Sequence, residues 1–194
     1  MTRADHLTQI SQKIKSNTSE MASLLAWESG KSVTEATGEI SYAISYLDHF
    51  AREISNPTGS VISTNPSRHS YTTSHPVGLV FSVTPWNFPL AMFARKFAPA
   101  YAAGCPFLLK PSELTPLTSL FFAHITRDIL PKGVFTVIPS DDRDLVRDAL
   151  LDSDVRKFSF TGSMFMLDLS LSLSLSLSHT HYIHNRYRDG SGAS

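Results

Sequence analysis

From Val77 onward, short apolar runs and helix-period stripes take turns without a break, and few architectures accept that order. Val77-Gly78-Leu79-Val80-Phe81-Ser82-Val83 reads as a buried strand, apolar and rich in β-branched residues. Pro89 suits the first position of a helix running to about Ala103, with Gly104 ending it. Pro106-Phe107-Leu108-Leu109-Lys110 is a second strand, and Thr115 as N-cap with Pro116 behind it opens a long helix through Leu130. Gly133 to Ile138 gives a third strand. A helix started by Ser140 and Asp141-Asp142 follows, turning Leu145, Val146, Ala149 and Leu150 inward, and Lys157-Phe158-Ser159-Phe160 is a fourth strand. Strict alternation predicts right-handed crossovers and a parallel sheet: an α/β, Rossmann-like fold that offers its loops at the carboxyl ends of the strands.

Upstream, residues 1–55 predict two helices. Leu7, Ile10, Ile14, Met21, Leu24 and Leu25 fall at helical spacing between Leu7 and Glu28, with Gly30 as a stop. Ser32 with Glu35 makes a capping-box pattern ahead of a one-faced stripe of Ile40, Ala43, Ile44, Leu47, Phe50, Ala51 and Ile54. Residues 56–76 form a linker or edge-strand excursion, in which Val61-Ile62-Ser63 and Ser70-Tyr71-Thr72-Thr73 are the extended pieces. Residues 77–163 hold the alternating α/β pattern. Residues 164–194 are low in complexity and read as disordered: Asp168 to Ser178 alternates Leu and Ser before His179-Thr180-His181, a pattern that two adjoining dinucleotide repeats in the coding sequence explain with one cause. His179, His181 and His184 lack a preorganised scaffold, so no metal site is expected of them.

Composition narrows the function. The 194 residues carry 17 Lys and Arg against 17 Asp and Glu, without a basic cluster, which argues against a nucleic-acid partner. Cys105 is the only cysteine, so no internal disulfide is possible and a reducing compartment is the natural expectation. No stretch approaches the ~18 consecutive apolar residues of a membrane span, and the first residues fit neither a secretory signal nor a transit peptide. A cytoplasmic protein is expected, with a mitochondrial one allowed if the true N-terminus lies further upstream.

Three runs sit where the strands end: Thr84-Pro85-Trp86-Asn87-Phe88-Pro89, Lys110-Pro111-Ser112-Glu113 with Thr115-Pro116 behind it, and Phe158-Ser159-Phe160-Thr161-Gly162-Ser163. Together with Ala102-Ala103-Gly104-Cys105, and in this order and spacing, Gly78 to Ser163 resembles the cofactor-binding half of the aldehyde dehydrogenase superfamily. Gly38-Glu39-Ile40 with Tyr42, and Ala91-Met92 leading to Arg95-Lys96, resemble succinate-semialdehyde dehydrogenases within it.

The resemblance implies a small-molecule aldehyde as substrate and a role for each run. Asn87 would donate its amide N–H to a carbonyl oxygen becoming an oxyanion. Thr84, Pro85 and Trp86 would contact the cofactor, the last two on the nicotinamide side. Lys110 and Glu113 would hold the adenosine ribose, and a carboxylate there disfavours a 2′-phosphate, so NAD is expected ahead of NADP. Gly162 and Ser163 would meet the pyrophosphate at a strand-to-helix turn. Arg95 would grip the substrate's distal carboxylate through its guanidinium fork, and Lys96 beside it reads as structural.

Cys105 enters a buried strand and reads as an inert core thiol, not the nucleophile. In the family the nucleophilic cysteine and the glutamate that acts as general base belong to a later segment, and members begin several dozen residues earlier. The chain therefore reads as truncated at both ends and without turnover of its own. The family is homo-oligomeric, but most of its oligomerisation elements are not in this chain. The rival readings are a noncatalytic nucleotide-binding or subunit-interacting fragment, and an unstable product of a misassembled gene.

Overall fold

A computed structural model of the chain describes residues 2–56, 59–65, 68–142 and 144–162. The expected 164–194 tail, its histidines and Ser163 lie outside the described residues.

Three helices form the N-terminal layer. α1 (Arg3–Ser16) opens with a capping box in which Thr2 Oγ1 accepts from the Asp5 amide at 3.2 Å and Asp5 Oδ2 accepts from the Thr2 amide at 2.8 Å. α2 (Thr18–Ser29) follows at once, so the single helix read over Leu7 to Glu28 is in fact two, broken at Asn17. The cause is local: Asn17 Nδ2 donates to the Lys13 carbonyl at 2.7 Å and Thr18 Oγ1 to the Lys15 carbonyl at 2.9 Å, side-chain bonds that compete with the helical ladder. Gly30 closes α2 in the left-handed conformation (φ 72°) that its missing Cβ permits, its amide reaching the Ala26 carbonyl at 3.0 Å. α3 (Val33–Glu53) starts with the Ser32–Glu35 capping box that the sequence shows. Backbone hydrogen bonds to Ser32 hold the Glu35 carboxyl below the usual carboxylate range.

Residues 61–71 form an antiparallel hairpin of β1 (Val61–Asn65) and β2 (Arg68–Tyr71). The main sheet has four strands, β3 (Leu79–Val83), β4 (Phe107–Lys110), β5 (Phe135–Val137) and β6 (Val155–Phe160), in the order β5-β4-β3-β6 and all parallel. α4 (Pro89–Ala102), α5 (Leu117–Thr126) and α6 (Asp144–Leu151) connect them, the alternation that the sequence predicts.

Two details differ from the sequence reading. α5 begins at Leu117 and ends at Thr126, not at Leu130, and Thr115 does not cap it: Thr115 Oγ1 is buried with no hydrogen-bond partner among the described residues. Its cap comes from α2, where the Glu28 carboxylate accepts from the Leu117 amide at 2.8 Å, from the Thr118 amide at 3.0 Å and from the Thr118 hydroxyl.

Burial explains why the layers hold. Leu7, Ile10, Ile14, Leu25, Ile40 and Leu47 from the first three helices join Phe93 and Phe97 of α4, Phe107 and Leu109 of β4 and Phe122 of α5 in one core. The rings interlock edge-to-face, Phe93 on Phe122 at 4.6 Å and Phe97 on Phe107 at 5.7 Å, contacts worth something beyond their buried area. The opposite face of the sheet holds a smaller cluster of Phe81, Val83, Phe158 and, from α6, Val146. Among the described residues no helix is long and apolar enough to cross a membrane.

Candidate active site at the carboxyl edge of the sheet

Register fixes which loops meet. Val83 pairs with Lys110 on one side and with Phe160 on the other, so β3, β4 and β6 end in one row. The Thr84 amide donates to the Lys110 carbonyl at 3.3 Å, and the Thr161 amide to the Val83 carbonyl at 3.1 Å. Successive strands run from β3 to β4 and β5 on one side, whereas β6 returns to the other side of β3. This reversal opens the crevice where α/β sheets bind ligands. The loop carrying Asn87, the Lys110–Glu113 loop and the turn at Gly162 therefore stand at one edge of the sheet.

Thr84 is buried and its hydroxyl has no partner among the described residues; Pro85 is half-buried, and Trp86 is 53 % exposed. Asn87 presents a buried Oδ1 that is likewise without a partner, while its main-chain carbonyl accepts from Lys31 Nζ at 2.9 Å. Lys110 is 3 % exposed at the end of β4, with its ammonium 3.4 Å from the Pro111 carbonyl and 3.8 Å from the carboxylate of the exposed Glu113. Gly162 follows β6 with the Phe160 ring so close that an added Cβ would lie 2.6 Å from it.

The helix N-termini at this edge are not equivalent. Phe88 at the N-cap of α4 gives no side-chain bond, and the Leu90 and Ala91 amides donate instead to Glu39 Oε1 at 2.8 and 3.1 Å. Glu28 takes the same place at α5. Both positive ends are thus already occupied by protein carboxylates. α6, which also starts on this side, has Asp142 Oδ1 accepting from its first amide, that of Asp144, at 2.8 Å.

A cleft of about 270 Å³ lies between α4 and β6, and its lining includes Arg95, Lys96, His75, Lys157, Ser159 and Thr161 and no acidic side chain. Lys96 Nζ donates to Ser159 Oγ at 2.9 Å. Burial pulls its pKa down to about 8, helped by the neighbouring charges of Arg95 and Lys157. Arg95 is exposed and reaches the cleft from α4. Lys96, read from the sequence as structural, thus shares the cleft with Arg95. Cys105, 2 % exposed at the entry to β4 and so at the amino end of the sheet, lines the same cleft as Arg95 and Lys96.

Sequence reasoning missed Lys31, Glu39 and Glu28 as supports of this edge. The available signal was Glu39, a carboxylate on the same stripe of α3 as Ala36, Ile40 and Ala43. A charge buried on an apolar face requires partners.

Residues 1–167 match the aldehyde dehydrogenase family, and the chain belongs to that family. It is 42 % identical over 164 residues to a succinate-semialdehyde dehydrogenase of Paenarthrobacter nicotinovorans, a match covering 83 % of this chain and 36 % of the relative. Among solved structures it superposes on a succinate-semialdehyde dehydrogenase of Burkholderia pseudomallei with a TM-score of 0.84 and 37 % identity, over 88 % of this chain and 36 % of that one. It also superposes on aldehyde dehydrogenase 21 of Physcomitrella patens, solved with the reaction product succinate, with a TM-score of 0.83 and 31 % identity, over 93 % of this chain and 38 % of that one. The chain spans about a third of the length of the curated relatives it matches.

Proposed function

We propose that this chain is the cofactor-side portion of an enzyme that oxidises succinate semialdehyde, or an aldehyde much like it, to the carboxylic acid with NAD. The observation that carries the reading is the row of strand ends that sets the loop of Asn87, the pair Lys110 and Glu113, and Gly162 side by side. A dinucleotide fits the groups at this edge. Thr84 Oγ1 and Asn87 Oδ1 are buried polar atoms without partners among the described residues.

Thr84, Pro85 and Trp86 line the nicotinamide side, Lys110 and Glu113 bind the ribose hydroxyls, and Gly162 with Ser163 receives the pyrophosphate. Glu113 repels a 2′-phosphate, which favours NAD over NADP. The bound cofactor supplies the acceptor for the hydride that leaves the aldehyde carbon. Asn87 contributes its Nδ2–H to the carbonyl oxygen as negative charge gathers there, a donor worth ~2.7–4 kcal/mol of barrier when held in place. Arg95 lies six residues into α4 from Pro89, ~9 Å along the axis. Its cleft, which sets Arg95, Lys96 and Lys157 against an otherwise largely apolar lining without acidic side chains, suits the distal carboxylate of a short dicarboxylic semialdehyde.

The attacking thiolate is not supplied by these residues. Cys105 is the one cysteine in the 194, and although it lines the floor of the Arg95 cleft it is buried at the entry to β4, apart from the Asn87 loop. This chain therefore binds the nucleotide without turning aldehyde over.

The test uses Trp86 as its own reporter. In a Trp27→Phe background, which leaves Trp86 as the only indole, titration with NAD is expected to quench fluorescence saturably, and Lys110→Ala to weaken the response at least tenfold. Aldehyde with NAD is expected to give no rise in nicotinamide absorbance. No quenching up to millimolar NAD overturns the nucleotide site, and NADH formation by the purified chain overturns the assignment of the nucleophile to other residues.

A further inference from the structure

We propose that Lys31 and Glu39 are positioning residues that clamp the Thr84–Phe88 loop and thereby aim the Asn87 amide. The inference rests on the reading of Asn87 as an oxyanion donor, but the clamp itself is a matter of geometry. Glu39 is 3 % exposed in the middle of α3 and spends its two carboxylate oxygens on different tasks. Oε1 accepts from the Leu90 and Ala91 amides at 2.8 and 3.1 Å, fixing the first turn of α4. Oε2 pairs with Lys31 Nζ.

Lys31, in the turn between α2 and α3, carries that charge across to the loop. Its ammonium also donates to the Asn87 main-chain carbonyl at 2.9 Å and sits 4.7 Å from the centre of the Phe88 ring. One ion pair therefore grips the main-chain carbonyl of Asn87, the ring of Phe88 next to it and the helix start just behind them.

The loop needs such a grip because it has little of its own. Phe88 offers no cap to α4, and Thr84 Oγ1 and Asn87 Oδ1 have no protein partners among the described residues. A donor amide that makes no bond of its own at rest can still be preorganised if its backbone is held from behind. The side chain is then left free for the reacting oxygen, and the alignment costs nothing at the moment of reaction. A buried pair is a weak source of stability when weighed against apolar residues, so fixing one geometry is the more natural use for it.

Side-chain and backbone amide NMR of the full 194-residue chain tests this without any need for turnover. Lys31→Met is expected to shift and broaden the Asn87 side-chain NH2 pair. It should also speed hydrogen exchange at Leu90 and Ala91 several-fold, because their acceptor Glu39 stays but loses the ion pair that fixes it. Exchange along Phe107 to Leu109 in the core should stay unchanged, and Lys31→Arg should restore the wild-type Asn87 signals. Should the methionine variant fail to fold, Lys31→Gln, neutral but still a donor, is read in the same way.

Asn87 signals that superimpose on the wild type in Lys31→Met overturn the proposal. So does an exchange increase of equal size in the core, which would mark the pair as general scaffolding. NAD titration of the wild-type chain separates the two readings. Loss of the clamp's effect with NAD binding intact removes the inference alone, whereas an intact clamp in a chain that never binds NAD removes the proposed function alone.

Discussion

Along one face of the main sheet, three strands and the fourth lead different lives. β4 and β5 present Phe107, Leu109, Phe135 and Val137, and β3 adds Val80, all beneath α4 and α5 in a core of interlocked rings. β6 presents Lys157 and Ser159 to the same side, where with Thr161 just beyond it they line a cleft beside α4. Its alternate residues, Phe158 and Phe160, pack on the other face with Phe81. The period-two alternation runs through all four strands, broken in β6 by a register shift at Arg156. What changes at β6 is the chemistry of one of its faces, and that change separates the part of the sheet that packs on the ring core from the part that lines the cleft.

The contrast can be broken most directly in the core. Phe107→Ala is expected to cost about 4 kcal/mol, because the ring is 2 % exposed and touches Phe93, Phe97 and Phe135. Urea unfolding measures this, and a loss below ~1 kcal/mol would mean that the ring cluster is not the stabilising side. A smaller effect belongs to the strut that holds α5 over that core. Glu28→Ala leaves two helix-start amides and the Thr118 hydroxyl without their acceptor, at a cost of about 2 kcal/mol. Fraying of the first turn of α5, seen by amide exchange at Leu117 and Thr118, is the local signature to look for.

The smallest effect is expected on the cleft side and appears only as a pH dependence. Lys96 is drawn from 10.5 in the unfolded chain to about 8 in the folded one. Between those values the unfolded chain binds more protons, so stability should rise with pH from about 8 and level off near 10.5. After allowance for water reaching the half-buried amine, roughly 1–2 kcal/mol is at stake. Lys96→Met should flatten that rise, and a variant that keeps it would show that another group titrates there.

The alternating elements were legible because strands such as Leu79–Val83 and helices such as Pro89–Ala102 announce themselves within a dozen residues, through period, Pro and Gly. Gly30 and the Ser32–Glu35 box were legible for the same reason. The break at Asn17 was hidden, since Ser16-Asn17-Thr18 looks like the polar side of one continuous helix until the side chains are seen bonding back to Lys13 and Lys15. The start of α5 was misread because a local cap was sought at Thr115, whereas the acceptor is Glu28, 89 residues before Leu117. Of the candidate site, the motif loops were visible as strings, but their supports were not. Lys31 and Glu39 meet the Asn87 loop only through contacts 51 to 57 residues apart in the chain.

That separation has a direction. Glu28, Lys31 and Glu39 all precede the segments they serve, so during synthesis the first three helices emerge ahead of the loops at 84–88 and 110–117. A nascent chain that folds from its leading end has these partners waiting when those later turns arrive, and each helix start can be closed as soon as it leaves the ribosome.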